Sequence, residues 1–255
     1  MLYSLFNFMN KKIVVMFRLK NEARWIKQSI ESIYDFCDEI VILDDNSTDD
    51  TMNICTKFDK VVDIHTKTDS SFDEALDRNF LLDMALKRKP DVLLSLDGDE
   101  IFLPDSGKII REEIDILYPE VQVFEFQLLT LWDNPNQVRF DGAFSSFWQK
   151  RMFRLKDQPI NLKINNSPYK GNFHCGSIPT NTIGMENAVR SNAKIFHCAS
   201  FDESLRKEKY EWYISIDPDN PLTDNYQHML GAKGRFSGTS LKFKKIPSNL
   251  TYDLN

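Results

Sequence analysis

Along the first 105 residues, short apolar runs alternate with stretches of helical periodicity. Ile13–Phe17 (IVVMF), Glu39–Leu43 (EIVIL), Val61–Ile64 and Val92–Leu96 are brief and nearly continuous in apolar residues. That pattern suits strands covered on both faces. Between the first two, Ile26, Ile30, Ile33 and Cys37 recur at helical spacing behind Asn21, a residue type that caps helices. Met52, Cys55 and Phe58 predict a short second helix. Ser71-Phe72-Asp73-Glu74 has the form of a capping box, opening a third helix with Phe72, Leu76, Phe80 and Met84 on one side until Pro90 ends it. Strands alternating with helices predict an α/β fold, with a mostly parallel central sheet and helices on both faces.

After Pro104 the pattern changes. A helix is expected around Lys108–Leu117 and a long strand over Val121–Trp132. The stretch 133–180 is rich in Asn, Pro, Gly and aromatic residues, with strand-like pieces near Arg151–Leu155 and Gly171–Cys175. Ala193–Cys198 reads as a further strand, and Ser200-Phe201-Asp202-Glu203 repeats the capping-box pattern before a helix bearing Leu205, Trp212 and Ile216. Residues 231–247 hold Lys233, Arg235, Lys242, Lys244 and Lys245 and no acid: a basic tail, or a flap that closes over an anion. The expected organisation is therefore a ligand-binding α/β half over 1–105, a smaller mixed half of the same domain over 106–230, and the basic tail over 231–255.

Charge and composition narrow the function. The 255 residues carry 32 Lys and Arg against 38 Asp and Glu, a formal net charge of −6. An acidic chain lacks the basic footprint needed for nucleic acid or anionic membrane, so no nucleic-acid partner is expected. Met1–Met9 is apolar but too short to span a bilayer, and charged residues break every other apolar segment, so no transmembrane segment is expected. Cys37, Cys55, Cys175 and Cys198 form no CxxC pair. They read as reduced, buried thiols of a cytoplasmic protein. The repeated Phe-His-Cys at 173–175 and 196–198 admits a zinc site, but adjacent ligands seldom converge on one tetrahedral ion.

Two of the expected strands run into carboxylate clusters. One ends in Asp44-Asp45, the other in Asp97-Gly98-Asp99-Glu100. In an open α/β sheet, ligands bind outside the carboxyl ends of the strands. Clustered carboxylates repel, so such loops meet cations or hydrogen-bond donors. An Asp-x-Asp turn lets two carboxylates flank a hard divalent ion whose octahedron is completed by phosphate oxygens. Asp44 and Asp45 suit donors from a base or ribose. Asp49 and Asp50 read more simply as caps of the next helix. The turn after the first strand, Phe17-Arg18-Leu19-Lys20-Asn21-Glu22, has no glycine, which argues against a dinucleotide fingerprint or a P-loop.

Lys20-Asn21-Glu22, VILDDNSTDDT at 41–51, Arg78-Asn79 and LLSLDGDE at 93–100 together resemble the family 2 glycosyltransferases, in order and spacing. A weaker similarity covers 193–220. The resemblance implies a GT-A fold, a nucleoside-diphosphate-sugar donor with UDP as the usual base carrier, and Mn²⁺ or Mg²⁺. It implies hexosyl transfer in glycan biosynthesis to a glycan, lipid or protein hydroxyl, with inversion. Carried over residue by residue, Asp45 accepts from the nucleobase with Asp44 beside it, and the backbone at 17–20 lines the base. Arg18, Lys20, Glu22 and Arg78 lie near the nucleotide. Asp97 meets the ribose or metal, Asp99 the metal, and His197 matches a later His that completes metal or diphosphate binding. An inverting enzyme also needs a base for the acceptor proton. Similar sequences often read His-Glu where this chain has His174-Cys175. Asp141 is the first candidate base, with Glu186 and Glu125 as the others. Trp132, Phe147, Trp148 and Tyr169 are candidates for a sugar-stacking wall, or for core. The alternative to an enzyme is a non-catalytic nucleotide-sugar-binding module of the same fold.

Overall fold

The computed structural model describes residues 11–68, 71–218, 226–234 and 240–247. The apolar segment 1–9 and Arg235 lie outside the described residues. Strands β1 (Ile13–Leu19), β2 (Glu39–Asp44), β3 (Val61–Thr66) and β4 (Val92–Asp97) stand in the order 3-2-1-4, every neighbouring pair parallel. Helices α1 (Ile26–Ile33), α2 (Thr51–Cys55) and α3 (Glu74–Lys87) make the crossovers.

The two-residue period of a strand explains how one apolar run serves two layers. Ile13, Val15, Phe17 and Leu19 pack with Ile26, Ile30 and Ile33 of α1, whereas Val14 and Met16 pack with Leu81, Leu82 and Ala85 of α3. Each fully buried side chain of this kind contributes about 1.5–3 kcal/mol relative to leaving it exposed.

The rest of the chain extends the sheet. β5 (Glu100–Phe102) is followed by α4 (Ser106–Glu112), which runs into a π-turn over Glu113–Leu117. Then come β6 (Val123–Trp132), β7 (Asn134–Arg139), β8 (Trp148–Arg154), β9 (Val189–His197), α5 (Glu203–Ile216) and β10 (Phe243–Lys245). β8 joins β4 antiparallel, and β6 joins β8 antiparallel. β9 runs parallel to β6 and antiparallel to β5. The parallel half and the mixed half are thus one sheet of an α/β fold. Part of the basic tail is β10, an exposed edge strand on β7.

Several local expectations change. Asn21 is not a helix cap: it sits in the left-handed region, and its Oδ1 accepts from the Thr48 amide at 2.8 Å. α3 and α5 are capped by Asp73 and Asp202, which accept from Leu76 and Leu205, rather than by Ser71 and Ser200. Asp caps as well as Ser, and here it stands where its oxygen reaches the N3 amide. The buried face of α3 is also rotated from the apolar stripe: Leu76 is 64% exposed, whereas Asp77 and Arg78 are buried. Gly171–Cys175 is no strand, because Gly171, Asn172 and His174 all take positive φ. All four cysteines are buried and unpaired. Among the described residues no helix is long and apolar enough to cross a membrane.

Candidate active site

The order 3-2-1-4 reverses between β1 and β4, so the loops after these two strands part and leave a crevice. A cleft of about 920 Å³ opens there. In register, Arg18 of β1 lies beside Asp97 of β4. The following turn is tightly tied. The Asp97 amide donates to Glu100 Oε2 at 3.2 Å, and the Cys198 amide donates to the Asp99 carbonyl at 2.9 Å. Pairing of β5 with β9 sets Glu100 opposite His197, which brings a residue almost a hundred positions away to the turn.

Asp97 is clamped by two guanidinium groups. Arg78 Nη2 reaches Oδ1 at 3.1 Å and Arg151 Nη2 reaches Oδ2 at 2.8 Å. Arg151 also pairs with the fully buried Glu100 and bonds Ser177. Burial disfavours the ionised form of Asp97, but Arg151 and Arg78 outweigh it and hold the carboxyl far below its usual range. Glu100 goes the other way: burial, only partly offset by Arg151, pushes it up to about 8.

Asp99 is 4% exposed. Lys209 of α5 donates to its Oδ2 at 2.6 Å, and His197 Nε2 faces its Oδ1 across 3.9 Å, too far for a hydrogen bond. Burial opposes ionisation of Asp99, and the Lys209 ammonium prevails, so it stays ionised. Burial lowers the pKa of His197, leaving a neutral ring at pH 7, and its buried Nδ1 has no partner. Glu22 sits beside this group, with burial and the carboxylates Asp99 and Asp97 pushing it up to about 8 against Lys209.

The structure brings Arg18, Lys20, Glu22, Arg78, Asp97, Asp99 and His197 together on the cleft. Asp44 and Asp45 stand just behind it and are almost wholly buried. Asp45 pairs with Arg18 at 2.9 Å, Lys67 at 3.3 Å and Lys20 at 3.7 Å, so a nucleobase donor would have to displace a cation. Asp44 accepts from the Ser47 amide through Oδ1, while its Oδ2 is buried without a partner.

The candidate bases do not reach the cleft. Asp141 is 4% exposed in a two-bond pair with Arg139 at 2.9 and 3.0 Å, and both are withdrawn beneath Trp132 and Phe144. Glu125 pairs with Arg190 on the neighbouring strand at 2.9 Å. Glu186 sits in a 3₁₀ turn over Met185–Asn187, apart from the cleft. Of the expected aromatic wall only Phe147 lines it. Trp132 is buried against Arg139 and Arg206, and Trp148 is covered by Arg190. Trp25, Phe173, Trp212 and Tyr213 take that place. No His-Cys zinc centre forms: among the described residues no group of three or more His, Cys, Asp and Glu is poised to hold an ion.

Sequence reasoning missed Glu74, Arg151, His174 and Lys209. The one available signal was the helix rich in lysine and tyrosine that carries Lys209. Nothing local marks Arg151.

A sequence profile of glycosyl transferase family 2 matches residues 15–164. The glycosyltransferase SunS of Bacillus phage SPbeta, and the prophage-derived SunS of Bacillus subtilis (strain 168), are 28% identical over 212 residues, covering 79% of this chain and 44% of theirs. The chain thus spans less than half the length of these curated relatives. Partial structural likenesses include glucosyl-3-phosphoglycerate synthase from Mycobacterium tuberculosis, crystallised with Mn²⁺, UDP and phosphoglyceric acid. It is 20% identical, with 48% of this chain and 43% of that one covered and a TM-score of 0.31. Mannosyl-3-phosphoglycerate synthase from Rubrobacter xylanophilus is 16% identical, with 49% and 41% covered and a TM-score of 0.32. With more than half of its length matched by the family profile, and its Asp-Gly-Asp turn set at the sheet's switch point, the chain belongs to glycosyl transferase family 2.

Proposed function

We propose that this chain transfers a sugar from a nucleoside-diphosphate sugar, a UDP-sugar first, to an acceptor hydroxyl with inversion, using Mn²⁺ or Mg²⁺. The observation that carries this is the facing pair Asp99 and His197 at the carboxyl end of β4, within a family 2 chain. The SunS relatives are themselves named glycosyltransferases.

The donor set fits a metal ion. An ionised carboxylate and a neutral imidazole face each other without a hydrogen bond, and neutral imidazole is the ligating form. Two protein ligands suffice for an ion that takes its remaining oxygens from phosphate and water. Asp99 and His197 would hold such an ion, which when bound would supply Lewis-acid stabilisation of the charge on a departing diphosphate.

The chain's own residues do the positioning. Arg78 and Arg151 fix both oxygens of Asp97, so the carboxylate that faces the ribose or metal is held before the donor arrives. Lys209 holds Asp99 and adds positive charge where a diphosphate would lie. Arg18 and Lys20 form the cationic rim on the β1 side. Asp44 and Asp45, buried behind the β1 side of the cleft, are the groups assigned to the base together with the backbone at 17–20, and Phe147, Trp212 and Tyr213 line the cleft with apolar faces for sugar rings. The acceptor is a glycan, lipid or protein hydroxyl.

Absence of Asp141, Glu125 and Glu186 from the cleft favours a second reading, a nucleotide-sugar-binding module without turnover. One experiment separates the two. UDP-, GDP- and dTDP-sugars are incubated with Mn²⁺, and released nucleoside diphosphate is measured. An enzyme gives release that stops with chelator or with Asp99→Ala. A binding module gives none. Release indifferent to both treatments would overturn the metal site.

A further inference from the structure

Three polar side chains are linked in series from a buried carboxylate to the open cleft. Asp217 Oδ2 lies 2.9 Å from the Tyr226 hydroxyl, and that hydroxyl lies 2.9 Å from His174 Nε2. Asp217 and Tyr226 are buried, while His174 is exposed where it lines the cleft. We propose that His174 is the group that takes the acceptor's proton, with Tyr226 and Asp217 as positioning residues. This rests on the glycosyl-transfer reading above.

The hydrogen-bond direction fixes the tautomer. A carboxylate only accepts, so the Tyr226 hydroxyl gives its hydrogen to Asp217. The tyrosine oxygen is then an acceptor toward the ring, and His174 must carry its proton on Nε2. That leaves the lone pair on Nδ1, and a free ring lone pair is what a general base needs. The two buried members of this chain, Asp217 and Tyr226, set the ring's orientation from behind.

The backbone is held as firmly. His174 has φ +58°, an uncommon conformation for a residue with a side chain. Such conformations persist where the surroundings over-determine them, and they cluster at functional sites. Here the His174 amide donates to Glu74 Oε2 at 2.8 Å. Glu74 Oε1 accepts from Arg78 Nε at 2.8 Å, and Arg78 Nη2 reaches Asp97 at 3.1 Å. His174 is therefore fixed by the same ion-pair network that fixes the Asp-x-Asp carboxylate.

The surroundings keep the ring neutral. Phe173 stacks on it at 3.9 Å between centroids, and Tyr213, Tyr226 and Tyr169 flank it at 5.8, 5.7 and 6.2 Å. This enclosure lowers its pKa against the opposing pull of Glu74 and Asp217. The competing carboxylates beside the turn are committed: Asp97 and Glu74 to arginines, and Asp99 to Lys209. Cys175 is buried and its thiol is pushed up to about 12.

The step balances simply. The acceptor oxygen bonds to the anomeric carbon, and the bond from that carbon to the diphosphate oxygen breaks, its electron pair leaving with the diphosphate. The acceptor's O–H pair stays on oxygen and its proton moves to Nδ1. The imidazolium formed gives its Nε2 hydrogen bond to Tyr226, whose hydroxyl leans on Asp217. Solvent water then takes the proton.

His174→Gly is the test, because glycine keeps the left-handed backbone. The probes are a mixed panel of UDP-, GDP- and dTDP-sugars with water as acceptor, and UDP with Mn²⁺ for binding. Release should fall about 10²–10⁴-fold while UDP affinity stays within about threefold of wild type. Added imidazole should restore release. Tyr226→Phe should cost less and move the acid limb of the pH profile down, since the imidazolium loses its acceptor. Nitrogen NMR of the wild type should show a neutral ring protonated on Nε2 at neutral pH. A loss below about tenfold, a loss that imidazole does not restore, a parallel loss of UDP binding, or a proton on Nδ1 would each overturn the assignment. A wild type that neither binds UDP nor releases nucleotide overturns glycosyl transfer itself, and the base with it. One that does both, with His174→Gly unaffected, overturns the base alone.

Discussion

Gly98, between the two aspartates of the turn, gives the most quantitative test of how the site is built. A Cβ there would lie 2.7 Å from Glu22 Cγ, 2.8 Å from Leu19 Cδ2 and 2.9 Å from Glu22 Cβ. None of these neighbours gives way cheaply. Leu19 is fully buried on β1, and the Glu22 atoms lie close to its own backbone. The strain is steric, since Gly98 is not among the residues with positive φ. Overpacking of this sort costs about 1–3 kcal/mol. For a chain of this size, at about 2–4 °C per kcal/mol, the melting temperature of Gly98→Ala should drop by roughly 2–12 °C. Because the methyl pushes Asp97 and Asp99 off their partners, Mn²⁺-dependent UDP binding should weaken as well. Gly176→Ala is the matched control: its Cβ meets only the Ile178 carbonyl oxygen, at an ordinary 3.5 Å, so stability should change by less than about 0.5 kcal/mol. Thermal unfolding by circular dichroism with calorimetric UDP titration reads both effects. If Gly98→Ala melts and binds like the wild type, the turn is not as closely packed as described.

Two further perturbations address the charges. Arg151→Met removes the partner of the buried Glu100 and one of the two clamps on Asp97, and should cost about 3–5 kcal/mol in urea unfolding; a cost under about 1 kcal/mol would contradict the network. Glu22 bears on pH: its folded pKa of about 8 lies above its ordinary value of 4.5, so the folded state holds a proton that the unfolded chain has lost between these values. That group's stabilisation is complete below pH 4.5 and is lost as pH rises through about 8, whereas Glu22→Gln, which mimics the neutral acid, should flatten the loss. Parallel pH profiles of stability for the two proteins would refute the assignment.

Much of the parallel half was legible because its signals are local. β1, β2 and β4 are nearly continuous apolar runs, and the carboxylates at the ends of β2 and β4 sit where the topology needs ligands. Helix faces were less legible. α3 turns Asp77 inward to Arg18 and Lys67, and Arg78 inward to Asp97, and such partners from other elements leave no trace in hydrophobic periodicity. The same holds for the site's cations. Arg151 reaches Asp97 across 54 positions and Lys209 reaches Asp99 across 110. The burial of Asp141 had a local cue, since Arg139 two residues before it lies on the same side of an extended chain. His174 was hidden by an aromatic run that reads as a strand but folds as a left-handed turn.

On the proposed function, Asp99 and His197 would hold the divalent ion on which nucleoside-diphosphate binding depends. Calorimetric titration of UDP into the wild type and Asp99→Ala, each with Mn²⁺ and with chelator, tests it most directly. The account predicts saturable binding only for the wild type with Mn²⁺. Equal binding in all four titrations, or none in any, would contradict it.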